Sequence, residues 1–479
     1  MINKIKILLL SSLFLVGCDL SPEYKIPETN FPNKFKSEEE VAPFTEAQKS
    51  SWKQAEPSDK FPRGEWWKIF EDENLNKIQQ EFLSNNLDIK ILEAKTKQAR
   101  SSIDVVSSEF FPDFSVNSGV TRQKLNSQTF GFPAPAIKPF SVYSAGFGLD
   151  YEIDLFGKVF TKMRSIDAEY NAFENDKESI KLALQADVTQ YYITLKSLDE
   201  ELKLTQENIN LRQENLNISN KKLELGAINK LDLARDAISL NTEIARLSQV
   251  KQARSEVENA LLVMLGKNPS NFILDKSNSE INPPQIPPYL PSKLLERRPD
   301  VASAERKLYS ANEMIGFARA AFFPSISLTS NAGLQSTSLS DVMQWSNRVW
   351  SIAPMINFPI FEGGRTLANL EKNKAIFDEA NANYRKQVLV AFKDVEDSLS
   401  LVSTSDKQLS VSKNSLKVAR ESLEIMRKKF TLGDISKFEF NDAKISYNNI
   451  KIVETQAKRG RLNASVQLIR ALGGGFAVE

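Results

Sequence analysis

Glu439 and Asp442 stand three positions apart in a proline-free stretch, which puts two carboxylates on one face of a helix. Such a pair attracts cations or simply faces water; it has no partner that would make it an acid–base couple. Asp232 follows Leu225-Gly226 as Glu439 follows Leu432-Gly433, so it is the matching acid of an earlier turn. Asp150 and Glu152 alternate onto the polar side of a strand-like run, the lining of a lumen rather than of a cleft. The chain has no histidine, which removes Ser-His and Cys-His nucleophilic sites and His-ligated metals. Its single cysteine, Cys18, removes an internal disulfide or a thiolate cluster. Carboxylate, Ser, Lys or Tyr chemistry is open on composition alone, but no constellation supports an enzyme, a cofactor or a metal site. With 62 Lys and Arg against 61 Asp and Glu, the net charge of +1 gives no electrostatic case for nucleic acid.

Cys18 has its own context. Lys4 and Lys6 precede an apolar run from Ile7 to Leu15, and Leu15-Val16-Gly17-Cys18 closes it. This reads as a secretory signal over residues 1–17, too short for a stable membrane anchor. The small residue before the lone cysteine resembles a bacterial lipobox, in which Cys18 becomes lipid-modified (diacylglyceryl and palmitate) and forms the new N-terminus. Removing Lys4 and Lys6 leaves 60 − 61 = −1. Asp19, next to the lipidated residue, favours inner-membrane retention in some bacteria. No later run has the roughly 18 apolar residues that a membrane helix needs, so any crossing is made by strands.

The elements that carry these residues are long. All twenty prolines avoid Phe140–Asn268 and Ile360–Glu479, and proline costs about 3 kcal/mol inside a helix. Val188, Leu195, Leu202, Ile209, Leu216 and Leu223 recur every seven residues, as do Val388, Val395, Val402, Leu409, Leu416, Leu423 and Phe430. That period means helices coiling on helical neighbours. At ~1.5 Å per residue, a helix from Val159 to Leu225 reaches ~100 Å. The halves also match. Leu225-Gly226 maps onto Leu432-Gly433 and Leu265-Gly266 onto Leu472-Gly473, each shifted by 207, while Phe110-Phe111-Pro112 maps onto Phe322-Phe323-Pro324, shifted by 212. The chain is thus a two-fold repeat of strand, strand, long helix, turn, long helix. Its expected parts are an N-terminal segment (18–70), a first repeat (71–268), a proline-rich crossover (269–298) and a second repeat (299–479). Gly226 and Gly433 mark the hairpin tips. Gly157, Gly363 and Gly364 mark strand-to-helix junctions, where a strand wall must tighten into a helical one.

Four stretches alternate with period two: around Phe114–Thr121, Tyr143–Leu155, Ile326–Leu334 and Trp350–Ile360. Each has one apolar and one polar face, as in a tilted bilayer-crossing strand; a soluble sandwich with one dry face has the same signature. Four strands cannot close a barrel, whose edges must all be paired, so the expected assembly is a homotrimer sharing one barrel of twelve strands. Loops Arg122–Phe140 and Gln335–Asn347 would face outside the cell.

The chain resembles the outer membrane factor (TolC-like) family. The likeness rests on Ser21-Pro22-Glu23-Tyr24 after Cys18, Trp66-Trp67-Lys68-Ile69-Phe70, Tyr151 to Lys158, and Leu261 to Gly266. It rests further on Leu290 to Asp300, Pro359 to Arg365, and Ala471 to Phe476. It implies an α+β membrane protein of the lipid-anchored branch serving RND-type pumps. A trimeric β-barrel in the outer membrane of a Gram-negative bacterium would continue as a periplasmic α-helical coiled-coil barrel. It would dock a periplasmic adaptor and an inner-membrane RND pump, and release drugs and other small toxic compounds. The resemblance further implies that Glu439 and Asp442 ring the periplasmic aperture and that Asp232 serves a latch between helices. Phe430 stands where some members carry a latch tyrosine and Ile435 where an arginine can occur, so that latch is absent; Lys437 or Arg235 would have to compensate. Trp66-Trp67 is expected to pack the N-terminal segment outside the barrel rather than serve as core. Two other readings compete: a type I protein-secretion duct, and a periplasmic structural or adaptor lipoprotein without a pore. The strand stretches argue against the second.

Overall fold

The computed structural model describes residues 19–27, 64–124, 138–271, 281–284 and 298–474. The signal segment, Cys18, most of the N-terminal segment, most of loop Arg122–Phe140, most of the crossover and Leu290–Arg297 lie outside the described residues. Two compact units form. The first takes the described residues of Met1–Glu28, Lys95–Glu174 and Ser303–Arg385, and the second those of Thr29–Ala94, Asn175–Ala302 and Lys386–Glu479. Each unit draws on both repeats, because the long helices of both repeats contribute to both units.

The described helices are α1 (Glu73–Asn85), α2 (Leu87–Ser108), α3 (Lys158–Glu224), α4 (Lys230–Met264), α5 (Pro299–Ala320), α6 (Arg365–Leu432) and α7 (Lys437–Ala471). The strands are β1 (Asp113–Gln123), β2 (Phe140–Ile153), β3 (Ser325–Ser336) and β4 (Arg348–Asn357). Their bounds reproduce the repeat. α2 maps onto α5 and the start of β1 onto that of β3 by 212 (299 − 87, 325 − 113). The starts of α3 and α4 map onto those of α6 and α7 by 207 (365 − 158, 437 − 230). The difference of five falls between the strands, where a longer segment joins β1 to β2.

In the first unit the strands form one antiparallel sheet in the order β1-β2-β3-β4. The fourth strand is shorter than its alternation suggests. It ends at Asn357, before Pro359, whose missing N–H cannot extend the ladder, so Ile360 lies outside it. β3 in turn runs to Ser336, two residues into the expected loop, and Trp345–Asn347 forms a 3-10 turn before β4.

In the second unit Phe82, Ile89, Val188, Leu195, Leu261 and Leu265 form a core cluster. Trp66 and Trp67 lie in a 3-10 turn, both fully buried, their rings edge to face at 6.1 Å. Trp66 donates to Gln185 of α3 at 3.4 Å, so the two buried side chains pack this part of the N-terminal segment onto that helix. No described helix is long and apolar enough to cross a membrane. The seven-residue rows behave unequally. On α6, Val388, Val395, Val402 and Leu409 are buried as expected, whereas Leu416, Leu423 and Phe430, nearer the tip, are half-buried. On α3 the expected row is buried only at Val188 and Leu195; toward the tip the buried set becomes Glu201, Leu204, Asn208, Leu211 and Asn215.

Candidate functional site

The sheet has two unlike faces, fixed by its register, since paired residues project to the same side. One face carries the rows Phe114–Leu149–Ser330–Ile352, Val116–Phe147–Ala332–Trp350 and Ile153–Ile326–Ile356. The other carries Asp113–Asp150–Thr329–Ala353 and Ser115–Gly148–Asn331–Ser351. Phe114, Val116, Phe147, Trp350, Ile352 and Ile356 of the apolar face are exposed in the single chain. On the polar face Thr329 donates to Asp150 at 2.7 Å. Gly146 pairs with Gly333, and a Cβ at Gly146 would come within 2.7 Å of the Ala332 carbonyl oxygen. The glycine pair thus permits a closeness of strands that side chains would forbid. Among the described residues β1 pairs only with β2 and β4 only with β3, so both edges are open.

The junction glycines precede the long helices. Gly157 has φ +69°, Gly363 +60° and Gly364 +89°, angles that favour glycine. Beyond Gly157, Asp154 accepts from the Phe160 amide at 2.8 Å and so satisfies a free donor of the first turn of α3.

The hairpin tips, both in the second unit, are built alike. Gly226 (φ +70°) and Gly433 (φ +83°) end α3 and α6 in left-handed turns. Ala227 donates to the Lys222 carbonyl at 2.8 Å and Asp434 to that of Lys429 at 2.9 Å, the 6→1 bonds of Schellman caps. The next helices start on capping boxes. Asn229 caps α4 with Asp232 as the returning acid, and Ser436 caps α7 with Glu439 in the same place. Asp232 and Glu439 therefore occupy equivalent positions, 439 − 232 = 207. The Glu439 carboxylate accepts from the Ser436 amide (2.7 Å) and hydroxyl (2.8 Å), bonds that hold its pKa below the ordinary value. Asp232 lies 3.6 Å from Arg235.

Asp442 differs from both. It is half-buried and accepts from Asn215 at 3.1 Å, with Arg212 at 3.9 Å. Burial, with Asp236 nearby, raises its pKa against the pull of Arg212. Phe430 stacks on Phe440 with centroids 5.1 Å apart. Lys437 lies over both rings, at 5.7 and 5.9 Å, and 3.6 Å from Glu214. This aromatic–cation stack joins the end of α6 to the start of α7. The structure thus brings Asp442, Arg212 and Asn215 together, while Glu439 and Asp232 bond within their own turns.

Three groups escaped the sequence reading. The first is a polar ladder between α3 and α7. Asn208 pairs with Asn448 (3.0 Å) and Asn215 with Asn441 (2.9 Å), all four buried. Ion pairs flank them: Glu200–Lys451 (2.6 Å), Glu207–Lys444 (2.5 Å) and Glu214–Lys437. Its signal was present as Glu-Asn repeated at 207–208 and 214–215, facing Asn441 and Asn448, but a search for apolar heptads passes over it. The second is Arg298, buried, which donates to Asp300, Asp394 (3.0 Å) and the Ala471 carbonyl (3.1 Å). The third is a strap in the first unit. Arg164 donates to Asp19 (2.8 Å) and pairs with Glu313 (2.6 Å), Arg319 donates to the Leu20 carbonyl (3.0 Å), and Tyr24 donates to Glu305 (2.6 Å).

Comparison with known proteins agrees with this architecture. The family model described as "Outer membrane efflux protein" matches residues 78–267 and 290–474. The two matches start 212 apart (290 − 78) and end 207 apart (474 − 267), the shifts of the internal repeat. The probable outer membrane lipoprotein SilC of Salmonella typhimurium is 29% identical over 480 residues, 99% of each chain. The probable efflux pump outer membrane protein TtgC of Pseudomonas putida is 28% identical, covering 98% of this chain and 95% of its own. The Campylobacter jejuni CmeC outer membrane channel superposes with a TM-score of 0.83 at 27% identity, over 96% of this chain and 95% of that one. The chain belongs to the outer membrane efflux protein family.

Proposed function

We propose that this outer-membrane efflux protein is the passive exit duct of a tripartite system. Three copies share one barrel, a periplasmic adaptor docks on their helices, and an inner-membrane RND-type pump supplies the energy. The carrying observation is the sheet: four strands, two open edges, one exposed apolar face and one polar face. An open edge in lipid leaves backbone groups unsatisfied, and three copies supply 3 × 4 = 12 strands in a closed ring without edges. The apolar face then meets lipid and the polar face lines the lumen. The cargo is drugs and other small toxic compounds; relatives named as efflux components favour this over protein secretion.

The hairpin tips form the periplasmic closure. Glu439 and Asp442 supply the aperture carboxylates, Asp232 serves the other hairpin, and the Phe430–Phe440–Lys437 stack replaces a tyrosine latch. Lipidation of Cys18 anchors the N-terminus, and the Asp19–Arg164 pair holds the next residue against the protein. Native mass spectrometry and planar-bilayer conductance of the purified full chain test this reading. A trimer with discrete conductance steps is expected. A monomer, or a trimer without conductance, overturns it.

A further inference from the structure

Residues 19–24 follow Cys18 directly and run along α5, meeting it at successive turns. Tyr24 donates to Glu305 at 2.6 Å, and its ring meets that of Tyr309 edge to face at 5.0 Å. Asn312 donates to the Pro22 carbonyl at 2.9 Å, and the Ser21 hydroxyl donates to Glu313 at 2.9 Å. Arg319 donates to the Leu20 carbonyl at 3.0 Å. Positions 305, 309, 312, 316 and 319 share one helix face, and the chain has glycine at 316. A Cβ there would come within 2.2 Å of the Ser21 Oγ and 2.9 Å of its backbone nitrogen and Cα, so the strap lies where only glycine leaves room.

The strap begins at Asp19. One oxygen of its carboxylate accepts from Arg164 of α3 at 2.8 Å and from the Ser21 amide at 3.0 Å. Arg164 is placed independently of it. The guanidinium lies 4.9 Å from the centre of the Phe160 ring and pairs at 2.6 Å with Glu313, which is 3% exposed. Asp19 stays 48% exposed, so the guanidinium neutralises the carboxylate rather than covering it. The bond from Arg164 holds the Asp19 carboxyl below its ordinary pKa. All of these partners are on helices, and Ser165 of α3 bonds Ser310 of α5 at 2.8 Å. The clamp therefore needs the two helices and not the sheet.

We propose that this clamp masks a sorting signal: once α3 and α5 close on the strap, Arg164 neutralises Asp19, and the acid beside the lipidated cysteine no longer retains the chain at the inner membrane. This rests on the reading of Cys18 as lipidated. A retention signal of this kind acts through a free carboxylate next to the lipid, and Leu20, Ser21 and Pro22 offer no second one. An unfolded chain presents Asp19 as a bare charge and is held back. A folded chain presents an ion pair and is released, so passage to the outer membrane selects copies whose helices have formed. Losing one charge-assisted hydrogen bond raises the free fraction of Asp19 about ten-fold or more.

Membrane fractionation of full-length variants tests this, in a Gram-negative host that retains lipoproteins bearing aspartate after the cysteine. The parent chain should lie in the outer membrane, and Asp19→Ser alone should leave it there. Arg164→Gln removes the neutralising charge, whereas Gly316→Ala displaces the strap and puts a better helix former in α5. Each should raise the inner-to-outer ratio about ten-fold, as the loss of one such bond requires. Adding Asp19→Ser to either variant should restore the parental ratio, which a folding defect would not allow. Retention that persists in the double variants, or no shift in the single ones, overturns the mask. Mass spectrometry of the N-terminal peptide separates the two failures. An N-terminus without lipid overturns the anchored reading itself, while a lipidated chain indifferent to Arg164 and Gly316 overturns only the mask.

Discussion

At the scale of single residues, charges buried in the second unit are held by unequal means. Arg298 is almost wholly buried, and its three acceptors lie on two helices and a helix end. Burial pushes the Asp300 carboxyl up, but bonding and charge from Arg298 outweigh that and hold it below the ordinary carboxylate value. The resulting stability is complete above the unfolded-state pKa and is lost as pH falls through the lower folded value. Arg298→Ala strands two acids and a carbonyl, and should cost about 3 kcal/mol, read as a lower urea midpoint of the helical circular-dichroism signal at pH 7. Its penalty should shrink in acid; an equal penalty at pH 3 would show that the loss is packing alone. Asp442 has the opposite sign. Burial raises its folded pKa, so its contribution is full below the unfolded value and lost as pH rises through the folded one. At neutral pH its charge is a cost. Asp442→Asn keeps a partner for Asn215 and should raise thermal stability at pH 7 but not at pH 4. A drop at pH 7 would mean that the Arg212 contact outweighs desolvation.

At the scale of elements, the pattern of turns was the most readable part of the sequence. Proline exclusion and the Leu-Gly pairs place both ends of α3 within a residue of where they lie, because caps and breakers act locally. The alternating strands also emerged, with β4 cut short by a proline the alternation had ignored. What the heptads misread was the half of α3 nearest the tip. There the buried seam sits at Asn208 and Asn215, and an apolar count assigns the seam to the half-exposed Ile209 and Leu216 instead. Asn208 and Asn448 cover each other, so their amides never meet apolar surroundings unpaired. The Arg298 site was hidden for another reason: its partner Asp394 lies 96 positions away on a helix whose placement no local pattern reveals. Replacing one member of an Asn pair tests the ladder. Asn208→Leu leaves the Asn448 amide short of an acceptor and should cost about 1–3 kcal/mol, whereas Asn208→Leu with Asn448→Leu should recover most of it. Equal losses in the single and double variants would mean that the pair contributes no coupling.

At the scale of the whole molecule, the two repeats share element order and turn chemistry but differ in what ties their helices together. Within the chain, α3 and α7 are joined by two buried Asn pairs and three ion pairs, a set that favours one register. The equivalent positions of α6 and α4 carry neither Asn pair, and Ser415, Ser422, Ala234 and Asn241 are all exposed. The repeat therefore sets where the helices begin, turn and end, while the polar ladder, written into one half of each repeat only, sets which two of them are locked in register within one chain.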